Sequence, residues 1–80
     1  MGKYDGLRQY LLAQPSSNVD ITFAEIETIL NASLPESAHK YREWWANDQT
    51  HVEAQAWLSA GWKVQSCNLV TRRVVFQKGL

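Results

Sequence analysis

One cysteine, Cys67, and two histidines, His39 and His51, are all the thiol and imidazole chemistry in this chain. A lone thiol closes no internal disulfide, and without partner cysteines or a histidine pair at ligand spacing the usual structural zinc site is not expected. No nucleophile elbow and no glycine-rich phosphate loop occurs, so the chain is expected to be no enzyme, to need no cofactor and to take no small-molecule substrate. A pairing of Cys67 with a histidine is the one nucleophilic arrangement these residues allow, and a strand cysteine more often serves as a small buried hydrophobe. Long apolar runs are missing as well. None approaches the roughly 20 residues that cross a bilayer, and near Met1 no charged stretch, apolar stretch and cleavage site follow one another. A reducing cytoplasm is the expected compartment, with no membrane partner.

What is present is apolar and aromatic. The 80 residues are 45% hydrophobic and include four tryptophans, three tyrosines and two phenylalanines. Such a chain lies near the lower size limit for burying enough surface, and a few large rings can supply its core. One domain over residues 1–80 is expected, folding alone or as a small homodimer. Formal net charge is zero, which suits a polyanion binder poorly. The charges are, however, unevenly placed. Residues 1–38 set two cations against five carboxylates, a balance of minus three, and residues 39–80 restore plus three. After Glu53 no acid occurs, so Lys63, Arg72, Arg73 and Lys78 have no acidic neighbour in sequence, a polarity that can orient a domain toward an anionic surface.

Apolar spacing at Tyr4, Leu7, Tyr10, Leu11 and Leu12 predicts a helix from Tyr4 to Gln14, capped by Asp5 and stopped by Pro15. Val19, Ile21 and Phe23 alternate with Asp20 and Thr22 as a short strand. Thr22 and Glu25 form a Thr-x-x-Glu capping box for a second helix that begins at Phe23 and stops at Asn31. Pro35, Ala38, Tyr41 and Trp45 predict a third helix from about Pro35 to Trp45. Thr50 with Glu53 repeats the box ahead of a fourth, whose buried side is Val52, Ala56, Trp57 and Ala60 and whose stop is Gly61. From Trp62 the period returns to two. Trp62, Val64 and Ser66 take one side, Lys63, Gln65 and Cys67 the other, and Val74 with Phe76 alternates on the return. A β-hairpin follows, its turn within Asn68–Arg73.

The predicted fold class is therefore α+β in the order α-β-α-α-α-β-β, with a small antiparallel sheet. That is the winged-helix order with one extra short helix: a helix-turn-helix region, then a hairpin wing. The lone first strand finds its partners by pairing with the hairpin.

Several stretches also resemble a family of small bacterial proteins and fusion domains defined as a domain of unknown function. They are Tyr4-Asp5, Ile21 to Glu27, Leu34 to Ala38, Tyr41 to Asn47 and Gln55 to Trp62. The Tyr-Arg-x-Trp-Trp-x-Asn run at Tyr41–Asn47 is the most specific of them, and Gly6 departs from the proline expected after the aspartate. The resemblance implies no activity.

Candidate binding residues follow from the winged-helix reading, and nucleic acid, DNA above all, is the expected partner. His51, Gln55 and Ser59 recur every four residues, one exposed polar line that suits base edges and equally suits any solvated helix face. Arg72 and Arg73 near the hairpin tip, with Lys63, suit a phosphate backbone; they also suit an edge that must not pair with another molecule. Lys40 and Arg42 extend the basic face unless Glu36, Glu43 and Asp48 neutralise it. Trp45, Trp57 and Trp62 are expected in the core, and Trp44, partly exposed, is the candidate for stacking on a base. The alternative is a protein-interaction module of the same shape that binds no nucleic acid. Its mark would be an exposed apolar patch around Trp44 or the hairpin.

Overall fold

The computed structural model describes residues 2–79, a mixed α+β arrangement in which helices cover one face of a three-stranded antiparallel sheet. Helix α1 spans Asp5–Leu12, strand β1 Asn18–Thr22, α2 Phe23–Leu30, α3 Glu36–Lys40 and α4 Val52–Ser59; a 3₁₀ turn covers Arg42–Trp45, and the hairpin strands are β2 Trp62–Asn68 and β3 Arg73–Lys78. The sheet order is β1-β3-β2, so the isolated first strand pairs with the last one and satisfies its backbone there.

Where local chemistry is strong, the elements begin and end as expected. At the start of α2, Glu25 N–H donates to Thr22 Oγ1 at 3.1 Å while Thr22 N–H donates to Glu25 Oε1 at 2.9 Å, the reciprocal capping box. Asn31 closes the same helix in the left-handed conformation at φ 54°. Gly61 follows α4 at φ 83°, a backbone angle that L side chains adopt only under strain. At the first helix the outcome differs in detail. Asp5 does not cap it: Tyr4 occupies the cap position, the Asp5 carboxylate accepts from Gly2 N–H at 2.8 Å, and the helix ends at Leu12.

The third helix breaks where a continuous one was expected. Tyr41 is extended, at φ −124° and ψ 125°, and separates α3 from the 3₁₀ turn. Trp45 supplies the physical reason. Its indole N–H donates to the Ala38 carbonyl at 2.9 Å, and its ring stacks on Phe23 (centroids 4.9 Å) and Trp57 (6.0 Å). In an unbroken helix Ala38 and Trp45 would stand about 10 Å apart along the axis, and the carbonyl would be taken by the backbone. Breaking the helix at Tyr41 brings the ring into the interior.

Helix α4 also starts later than its apparent capping box. Thr50 does not cap it; Asp48 Oδ1 accepts both Thr50 N–H (2.9 Å) and Thr50 Oγ1–H (2.7 Å), and His51 takes the cap position without a side-chain bond. Asp48 thus wins the threonine for a turn. The buried side is Ala54, Ala56 and Trp57, whereas Val52, expected inside, is 62% exposed.

In the hairpin, a bulge between Val64 and Ser66 resets the alternation. Cys67 consequently lies opposite Val74 on the core side, not beside Lys63 on the outer one. Burial pushes its thiol pKa up, and the nearby Arg42 charge offsets part of that rise. The core runs from Leu7 and Leu11 through Phe23, Trp45 and Trp57 to Phe76, with Val19, Ile21, Trp62 and Val74 from the sheet. Trp45, Trp57 and Trp62 are buried as expected and Trp44 is half-buried. No helix among the described residues is long and apolar enough to cross a membrane.

Candidate functional site

The residues nominated as a basic nucleic-acid surface are spread over several elements. Strand register puts Lys63 and Arg73 on the outer side of the sheet, with Asp20, Val75 and Gln77 and away from the helices. There Arg73 Nε meets Asp20 Oδ1 at 3.2 Å, so an arginine with no acid near it in sequence is paired across the sheet. Lys63 sits near the open end of the hairpin, roughly 15 Å from the turn by strand rise. Arg72 lies in the turn itself at φ 57°, and its carbonyl accepts from Phe23 N–H at 2.9 Å, which holds the turn beside the start of α2. Lys40 is paired with Glu36 at 2.8 Å. Among the described residues Arg42, Lys63 and Arg72 have no carboxylate within 4.0 Å.

Helix α4 does present an outward ridge of Val52, Gln55 and Ser59. Gln55 Nε2 donates to the Gln49 carbonyl at 2.8 Å, and Ser59 Oγ accepts from Arg8 Nε at 3.0 Å. A groove of about 380 Å³ separates this ridge from α1, lined by Tyr4, Arg8 and Gln9, and another of about 400 Å³ lies on its Gln49 and Leu58 side.

A gathering of aromatic and charged groups lies elsewhere, between the 3₁₀ turn and the start of α4. A groove of about 480 Å³ opens there, with Tyr41, Trp44 and Val52 as its apolar surface and Glu43, His51 and Glu53 as its polar one. The break at Tyr41 creates it: leaving the helix turns the Tyr41 ring outward, 57% exposed, while Trp45 turns in. Trp44 is held edge-on against Tyr4 (5.9 Å) and Trp45 (4.6 Å). His51 lies between two carboxylates, Nε2 at 3.9 Å from Asp48 and Nδ1 at 3.6 Å from Glu53, and Nδ1 is shielded from solvent without a hydrogen bond. Tyr4, beneath Trp44, has its phenol pKa raised by burial first and by the Glu53 charge second, so it stays a neutral hydroxyl. Tyr41, Val52, Glu43 and Glu53 were missed as site residues. Helical spacing puts Val52 in the core and the capping pattern gives Glu53 to a cap, whereas the helix begins at Val52 and leaves that side chain outside.

Asn47 has a different role. Its Oδ1 accepts from Trp57 Nε1–H (3.0 Å) and Val64 N–H (2.8 Å), and its Nδ2 donates to the Val64 carbonyl (3.0 Å). One side chain thereby ties the loop to a buried tryptophan and covers the free edge of β2. Among the described residues no three of His, Cys, Asp and Glu gather as metal ligands.

No curated protein and no solved structure matches the chain. A family model described as Domain of unknown function (DUF7662) matches residues 4–79, and the chain belongs to that family.

Proposed function

We propose that this family member is a protein-interaction module that takes a segment of a partner protein in the groove between Tyr41 and the start of α4. The observation that carries the reading is the pair of large apolar side chains, Tyr41 at 57% and Val52 at 62% exposure, flanking Trp44 with nothing among the described residues to cover them. A contiguous apolar patch with a polar rim is the usual anatomy of a protein interface, and zero net charge suits such use. The test is retention of specific proteins from a nuclease-treated lysate by the domain and by a Tyr41→Ser, Val52→Ser double variant of unchanged melting temperature. Partners held by the first and lost by the second support the role. Identical retention by both, or retention of nothing, rejects it.

A second reading is nucleic-acid binding by a winged helix, with α4 as recognition helix and β2–β3 as wing. The element order and the β1-β3-β2 sheet favour it, as does the ridge of Gln55 and Ser59 between two grooves. Arg42, Lys63 and Arg72 would then supply the phosphate contacts, Trp44 a stacking surface, and His51 the amino end of the reading helix. Against it stand Asp48 and Glu53 at that same end, and the pairing of Lys40 and Arg73 with acids. Binding of duplex DNA that weakens steeply with salt and is reduced by Arg72→Glu would establish it; no binding at low salt would remove it.

A further inference from the structure

Resting on the interaction role of the same groove, we infer that its occupant is a protein segment that places an arginine or lysine side chain between Trp44, Glu43 and Glu53, beside an apolar residue on Val52. Glu53 is the reason. Its side chain is only 13% exposed, yet no lysine or arginine among the described residues comes within 4.0 Å, and its one charged-capable neighbour is His51 at 3.6 Å. The stem of Glu53 is packed away while its carboxylate oxygens stay open at the groove, free to pair with a cation that approaches from outside. His51 is a poor match: its Nδ1 is placed off hydrogen-bonding distance at 3.6 Å, and its Nε2 faces a second carboxylate, Asp48, at 3.9 Å. Tyr4, on the far side, offers a neutral phenol and no charge. No lysine or arginine lines the groove, so its lining sets two carboxylates, Glu43 and Glu53, beside indole and phenol rings, the combination that attracts a guanidinium or ammonium group. A nucleic-acid phosphate or an acidic peptide would meet those same carboxylates unfavourably.

The test is an array of hexapeptides varied at every position, probed with the purified full chain and followed by titration of the best peptide. Peptides carrying arginine or lysine next to an apolar residue should dominate. Replacing that cation with glutamine should weaken binding by about tenfold, and Glu53→Gln, close in shape to the native side chain, should weaken the cationic peptide about as much while leaving the glutamine peptide unaffected. Glu43→Gln, at an exposed position, gives a second reading if Glu53→Gln perturbs folding. Apolar peptides bound in the groove without preference for a cation would overturn this inference and leave the interaction role standing. Binding of no peptide, with Val52→Arg and Tyr41→Ser also without effect on partner retention, would overturn both.

Discussion

The aromatic column inside the protein and the groove beside it are built from the same kinds of residue, and Trp44 and Trp45 belong one to each. In the column, Phe23, Trp45, Trp57 and Phe76 pack in sequence at 4.9, 6.0 and 5.5 Å, and the indole N–H groups of Trp45 and Trp57 have partners in Ala38 and Asn47. In the groove, large rings stay half-exposed or exposed, and a carboxylate and an imidazole stand close without a hydrogen bond. A satisfied interior needs nothing further from its surroundings; apolar surface and polar atoms left unmatched at one place are what a partner completes.

The comparison is sharpest at Trp45. Trp45→Ala removes the ring between Phe23 and Trp57 and is expected to cost roughly 3–5 kcal/mol in urea unfolding, while Tyr41→Ala, four residues away, should change stability by no more than about 0.5 kcal/mol. Equal costs would erase the distinction between column and groove. Asn47→Ala should come next, at about 2–3 kcal/mol, because it leaves the buried Trp57 N–H and the β2 edge without their acceptor. Hydrogen exchange should then quicken at Val64. Thr22→Ala, which removes the capping hydroxyl at the start of α2, should cost about 1 kcal/mol.

That cap also carries a pH signature. The backbone N–H and then the hydroxyl of Thr22 hold the Glu25 carboxyl below its usual pKa. A carboxylate with a folded-state pKa below its unfolded one stabilises fully above the unfolded value, and its contribution disappears as pH falls through the folded value. Wild type should therefore lose stability on acidification below the ordinary glutamate range, and Glu25→Gln should lack that part of the slope. The Asp48 carboxyl, lowered by Thr50, acts in the same direction. The smallest expected effect is Val52→Lys, near zero for stability and decisive for partner retention.

Much of the fold could be read from residue order because short-range signals govern it: the capping box at Thr22, the left-handed Asn31, Gly61 after α4, and the return to a two-residue period at Trp62. The misread places are those where a distant group outweighs a local preference. The Ala38 carbonyl and the Phe23 ring draw Trp45 out of a helix, Asp48 takes Thr50 from its cap, and a bulge in β2 turns Cys67 inward. Two of these bear on the groove: the break at Tyr41 turns that ring outward, and the turn at Asp48 sets the start of α4 at Val52. The Tyr41–Asn47 stretch is mainly architectural: Trp45 enters the core and Asn47 clamps the sheet edge. Charge in sequence misled in the same way, because Arg73, with no acid near it along the chain, finds Asp20 across the sheet.

The most direct measurement is photo-crosslinking from two positions, a benzoylphenylalanine at Val52 in the groove and another at Gln77 on the outer sheet face, in cells that produce the protein. Discrete protein adducts from position 52, with none from position 77, are the expected result. Adducts to nucleic acid from position 52, or the same protein adducts from both positions, would contradict the assignment of the groove as the recognition surface.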